Sequence, residues 1–257
     1  MVRVRPGTIE EKVRQLRELE QQVSPEQLAD FRARLEMSWI HHDSALEGTV
    51  YEPTELSAAL AGTPVTDAAV APYHDEIRQH RAAIALIREL AEKRKLEITV
   101  DTVRAIYDTL EPEAGDPKGP PKYRKDMPLH RVYFHEISTP DKIPNQVRAL
   151  VQWLGSEEAK RTMHPTRLAA RAHYQLLHVF PFAKHSGKVA RLLMNLILLH
   201  EGYPPAIIHA TDRQRYYDAL KSSPDAVSAI VQEALENAVE STLRYFQRLL
   251  GIEEETP

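Results

Sequence analysis

The chain has 257 residues, 42% apolar and 27% charged, with no cysteine and a formal net charge of −4. Without cysteine there is no disulfide, thiolate nucleophile, zinc–thiolate site or iron–sulfur cluster, so any chemistry must use oxygen and nitrogen groups. Its 33 Lys+Arg against 37 Asp+Glu give no basic field to draw nucleic acid or an anionic membrane. Its longest apolar run, Leu192 to Leu199, is broken by Asn195 and falls far short of the roughly 20 residues of a bilayer span. A soluble, cytoplasmic protein is expected.

Apolar residues recur at three- and four-residue spacing along most of the chain, and only nine glycines interrupt it, so the fold class is all-α. A first helix is predicted from Ile9 to about Gln22. Ser24-Pro25-Glu26-Gln27 then supplies a capping serine, a first-turn proline and a glutamine to close the capping box. The helix that follows runs to Glu47, where Gly48 stops it. Further helices are predicted over Pro53–Leu60, Asp67–Arg94, Val100–Leu110, Ile143–Leu154, Pro165–Leu177, Lys188–Glu201, Thr211–Leu220 and Pro224–Leu250. Between Pro112 and Pro144 the helical pattern lapses. Prolines and glycines cluster at Pro117 to Pro121, and the β-branched and aromatic residues of Leu129 to Ile137 suit a short hairpin. The parse is an N-terminal helical extension (1–60), a core (61–222) and a C-terminal helix with a frayed tail (223–257).

The most informative segment is Leu177-His178-Val179-Phe180-Pro181-Phe182-Ala183-Lys184-His185-Ser186-Gly187-Lys188-Val189-Ala190-Arg191, a short polar turn between two apolar helices. Ser186, Gly187 and Lys188 stand where a helix begins. Unpaired N–H groups and the helix dipole there make an anion site, reinforced by Lys184, Lys188 and Arg191, and phosphate is the natural guest. Composition alone equally fits a capped loop with solvated charges.

The segment resembles the motif H-P-F-x-D/E-G-N-G-R-x-x-R of the Fic (Fido) family, which also lies between two helices. The likeness extends to His164-Pro165 with His173-Tyr174 before the loop, and to Gly202-Tyr203-Pro204-Pro205 and Arg213 to Leu220 after it, covering about residues 35 to 220. It implies a Fic-like helical domain with a short β-hairpin flap. It also implies transfer of AMP from ATP to a protein hydroxyl, with the motif histidine as base and the acidic residue holding Mg²⁺. This chain departs at those two positions: Phe180 stands for the histidine and Lys184 for the magnesium ligand. His185 replaces a glycine, Ser186 the asparagine and Lys188 the first arginine, while Pro181, Phe182, Gly187 and Arg191 match.

A phenyl ring takes no proton and an ammonium binds no Mg²⁺, so the family's usual chemistry lacks its base and its metal ligand. The anion cradle of Lys184, Ser186, Gly187, Lys188 and Arg191 remains. Two histidines are replacement bases: His185 inside the loop, with an ordinary pKa suited to the task, and His178, displaced by two residues onto another helix face. The other histidines show no metal-ligand spacing.

His41-His42-Asp43-Ser44-Ala45-Leu46-Glu47-Gly48 resembles the family's inhibitory motif [S/T]-x-x-x-E-[G/N], with Asp43 where Ser or Thr is expected. The resemblance implies that Glu47 pairs with Arg191 and obstructs the nucleotide. Taken alone, the segment is a helix end closed by glycine. The flap, with Tyr123, Arg124, Arg131 and Val132, would by the same resemblance add a target peptide as an extra strand; alone, it is a surface hairpin.

Three functions follow as expectations. The first is a diverged, enzymatically silent Fic protein that binds a nucleotide, ATP or another phosphate compound, without Mg²⁺ in the usual mode. The second is an enzyme of altered phosphoryl or nucleotidyl transfer using His185 and Lys184. The third is a protein-interaction scaffold. Apolar stripes would serve a homodimer as readily as a core.

Overall fold

The computed structural model describes residues 8–112, 122–128 and 135–252. They form helices α1 (Ile9–Glu20), α2 (Pro25–Glu47), α3 (Pro53–Leu60), α4 (Ala71–Ala91), α5 (Val100–Leu110), α6 (Ile143–Gly155), α7 (Glu157–Thr162), α8 (Pro165–Val179), α9 (Ser186–His200), α10 (Arg213–Ser222) and α11 (Pro224–Leu249). Single 3₁₀ turns, Pro140–Lys142 and Ala210–Asp212, lead into α6 and α10. No strand occurs among the described residues, and the expected hairpin's centre, with Arg131 and Val132, lies outside them.

The helix starts follow local chemistry. Ser24 Oγ accepts from Gln27 N at 3.2 Å while Ser24 N donates to Gln27 Oε1 at 3.2 Å, closing the capping box at α2. Gly48 ends α2 at φ 102°, a left-handed conformation natural to glycine. Helix α4 starts at Ala71 rather than Asp67, because Asp67 forms a turn of its own, its Oδ1 accepting from Ala69 N at 2.8 Å. Helix α7 has no counterpart in the predicted elements: it has six residues and buries only Ala159, so it leaves no apolar period to read.

Helix α9 is the axis of the molecule. It is apolar almost all round, and Ser186 through Leu198 are buried, as befits a helix enclosed on every side. Helices α8, α4, α5 and α2 pack around it, and α11 covers α8 and α1. One apolar cluster runs from Val13 through Trp39, Ile84 and Leu192 to Phe246, so the N-terminal helices share the core with the rest. Asn195, one of the buried polar residues of α9, is bonded at both ends of its amide: it accepts from Ala206 N at 2.8 Å and donates to Ala206 O at 3.3 Å, fixing the segment after α9. No helix among the described residues is long and apolar enough to cross a membrane.

Candidate anion cradle at the start of helix α9

The loop from α8 to α9 is held by two residues in left-handed backbone conformation, Phe180 (φ 46°) and His185 (φ 59°). Neither is a glycine, so each stores backbone strain that its surroundings must hold. Phe182 provides part of that hold, stacking on Tyr107 with centroids 3.9 Å apart and planes 2° from parallel. Ser186 is fully buried and turns inward: its hydroxyl accepts from Phe182 N at 2.8 Å and donates to Phe182 O at 2.9 Å. That hydroxyl is committed to the loop, and the anion contact expected of the sequence falls to the main-chain N–H groups of this turn.

Gly187 and Lys188 begin the helix with N–H groups that have no intrahelical acceptor. The carboxylate of Glu47, at the end of α2, lies over this first turn. A Cβ built on Gly187 would fall 2.0 Å from Glu47 Oε1, so glycine here makes room for the carboxylate. Arg191 Nη2 donates to the same Oε1 at 3.0 Å. A resident anion thus sits where the helix dipole and the arginine favour negative charge.

Arg191, itself 1% exposed, is bound still more closely one turn back along α2. Its Nε donates to Asp43 Oδ1 at 2.7 Å and its Nη2 to Asp43 O at 3.1 Å. His80 Nε2, from α4, lies 3.3 Å from the other carboxylate oxygen. Burial would raise the Asp43 pKa, but the Arg191 guanidinium and then His80 outweigh it and hold it at about 2. Burial likewise opposes the charge on Arg191, yet Asp43 and Glu47 keep that group firmly protonated. The sequence motif signals Glu47 alone for this role, while the i, i+4 spacing of Asp43 and Glu47 places both carboxylates on one helix face.

The remaining cations also have acidic partners. Lys188, 2% exposed, donates from Nζ to Glu76 Oε1 on α4 at 2.5 Å. Lys184 Nζ lies 3.3 Å from both oxygens of Glu111, and His185 Nε2 lies 3.3 Å from Glu111 Oε2. Burial and then the Lys188 ammonium lower the His185 pKa, against the nearby carboxylates of Glu76, Glu111 and Glu47. Neither Glu76 nor Glu111 is signalled by the loop motif. With an ammonium at the metal-ligand position, the donor set does not fit Mg²⁺. Among the described residues no group of three or more His, Asp or Glu side chains could hold a metal ion.

His178 stays on the α8 side of the loop, its Nδ1 2.9 Å from Tyr174 O and its ring 4.0 Å from that of Tyr174. Phe180, 3% exposed, belongs to the core. The flap's flanks hold the end of α8. His135 Nε2 lies 3.1 Å from Leu177 O, Ser138 N donates to His178 O at 2.9 Å, and Arg124 Nη2 reaches Val179 O at 3.4 Å. Arg124 Nε donates to Phe180 O at 2.7 Å, and Arg124 N to Pro181 O at 2.9 Å. Five successive carbonyls at a helix end thereby gain partners. Arg124 is 5% exposed and bonded to these carbonyls; Tyr123 is half-buried beside Phe182, centroids 5.9 Å apart.

The Fic/DOC family model matches residues 97–198, the stretch that holds the loop. The chain is 29% identical over 184 residues to a protein adenylyltransferase Fic of Nematostella vectensis, and 30% identical over 188 residues to one of Drosophila ananassae. These alignments take in 72 and 71% of this chain but 42 and 36% of the relatives' lengths, so the chain spans less than half of each. A Fic domain-containing signaling protein of Bacteroides thetaiotaomicron has the same fold, with a TM-score of 0.78 and 20% identity over 97% of this chain and all of that one. Fic-1 from C. elegans aligns with a TM-score of 0.74 and 23% identity over 93% of this chain and 73% of that one.

Proposed function

Because the chain is a Fic (Fido) domain protein, we propose that it binds a phosphate-bearing compound, a nucleotide among them, at the first turn of α9 without catalysing His/Mg-dependent AMP transfer. The observation that carries this reading is the Glu47 carboxylate lodged over Gly187 and bonded to Arg191 at 3.0 Å. An anion already occupies the position, bonded to a guanidinium and lying over a helix N-terminus, two features that favour a phosphate oxygen. A ligand enters by displacing Glu47, an internal competitor, and Phe180 and Lys184 leave the bound compound without a base or metal ligand. Transfer activity and targets of the longer relatives do not carry over at those two positions.

Thermal-shift titration with ATP, ADP and inorganic phosphate, each with and without Mg²⁺, tests this on wild type and Glu47→Gly. The expected result is a larger, metal-independent rise in melting temperature for Glu47→Gly than for wild type. No shift in either protein would refute phosphate binding and favour the interaction scaffold.

A second reading rests on a different contact. His185 faces Glu111 at 3.3 Å, an arrangement in which the carboxylate orients the imidazole as a base for altered transfer chemistry. Turnover of a phosphate compound that His185→Ala eliminates would favour it; turnover unaffected by that change would exclude His185 as the base.

A further inference from the structure

We infer that Asp43, not Glu47, decides how much negative charge the cradle accepts: by neutralising Arg191 permanently, it restricts the site to exchanging one anionic group for the Glu47 carboxylate. This rests on the phosphate reading above and specifies the ligand class, a compound presenting a single terminal phosphate rather than a polyphosphate chain.

The two carboxylates differ in how firmly they are held. Asp43 is 1% exposed and binds Arg191 through side chain and main chain, with Nε–Oδ1 at 2.7 Å and Nη2–O at 3.1 Å. Its remaining oxygen faces His80 at 3.3 Å. Moving that carboxylate would strand a buried guanidinium, so it stays when a ligand arrives. The Glu47 side chain is 18% exposed and stands at the last residue of its helix, beside Gly48, so it can swing away into water. Once it leaves, Arg191 offers an incoming anion the Nη2 hydrogen Glu47 held together with Nη1, which faces Gly187, while Nε and the other Nη2 hydrogen remain on Asp43. The other nearby cations do not add a charge: Lys188 is bonded to Glu76 at 2.5 Å, and Lys184 and His185 both face Glu111. One carboxylate departs and one anionic group enters. A polyphosphate would bring further charge to a site already balanced by Asp43, Glu76 and Glu111, with no metal ligand at Lys184 to offset it.

The test is calorimetric titration with inorganic phosphate and with pyrophosphate, without metal, on Glu47→Gly and on Glu47→Gly with Asp43→Asn, which keeps shape and removes charge. The expected result is that Glu47→Gly binds phosphate at least tenfold more tightly than pyrophosphate, and that adding Asp43→Asn tightens pyrophosphate at least tenfold while tightening phosphate less; equal binding of the two anions by Glu47→Gly would overturn the inference. Binding by Glu47→Gly that Asp43→Asn leaves unchanged would overturn the role of Asp43 alone. Absence of binding in both variants would overturn the phosphate reading, and this inference with it. A readout that leaves Asp43 in place covers the case where the double variant does not fold. In Glu47→Gly saturated with pyrophosphate, the side-chain Nε–H resonance of Arg191 stays in its ligand-free position because that hydrogen remains on Asp43; a large displacement would overturn the inference.

Discussion

Two buried arginines flank the α8–α9 loop, and the protein treats them in opposite ways. Arg191 is met by two carboxylates, and they keep it charged against the cost of burial. Arg124 is met by the main-chain carbonyls of Asp126, Ser138, Val179 and Phe180, and burial lowers its pKa. Carbonyls at a helix C-terminus carry partial negative charge, enough to seat a guanidinium but not to cancel it. A carboxylate pair is a charge balance, which a competing anion can disturb. The carbonyl clamp is a mechanical tie between the flap's flanks and the loop, and offers an anion nothing to exchange with.

Changes at these two nodes should separate accordingly. The largest expected effect is from Arg191→Ala, which leaves Asp43 buried without its counter-charge and should cost about 3–5 kcal/mol. Chemical denaturation of this variant beside Arg191→Met with Asp43→Leu checks the cause. The paired change removes both charges together and should recover much of the loss; if it does not, packing rather than charge holds this node. Arg124→Ala should cost somewhat less, about 2–4 kcal/mol, because several carbonyls lose their donor at once. It should also raise hydrogen-exchange rates at Phe180 and Pro181's neighbours while leaving anion binding intact.

Acid sharpens the contrast, because the direct partners of Arg191 are titratable carboxylates and those of Arg124 are main-chain carbonyls. Asp43 is held at about 2, below its unfolded value, so its stabilisation is complete above about pH 4 and is lost as pH falls towards 2. Two histidines, the half-buried His42 and the buried His173, begin the loss earlier. Burial and then His209 and His41 lower His42 to about 4, and burial and then Arg191 lower His173 to about 3. Each stays neutral in the fold and charges in the unfolded chain, so stability falls as pH drops below about 6.5 and continues to fall through those values. Melting temperatures from pH 8 to 3 should show this early slope, and His42→Asn should flatten part of it. The smallest effect is expected from Glu47→Gln. Arg191 keeps Asp43, so the stability change should stay within about 1 kcal/mol, measured by denaturant melts beside the Arg191 variants.

Much of the fold could be read from the sequence because its signals are local. Ser24 and Gln27 mark the start of α2, Gly48 marks its end, and Leu192 to Leu199 announce an enclosed helix. The loop could be read equally well, as a helix N-terminus with cations beside it. Its charge balance could not. Asp43 and Arg191 are separated by 148 residues, and Lys188 and Glu76 by 112, so the partners that neutralise the cradle come from α2 and α4 and are set by packing. The committed hydroxyl of Ser186 and the clamp at Arg124 depend likewise on where the chain turns inward. Polar residues in a loop look exposed from sequence, and these two are 0% and 5% exposed.

The most direct test of the displaced-carboxylate account is a crystal structure of Glu47→Gly grown with saturating phosphate. The account predicts anion density over Gly187, within hydrogen-bonding distance of Arg191 Nη2, with the Asp43–Arg191 pair unchanged. An empty first turn of α9 at saturating phosphate would contradict it.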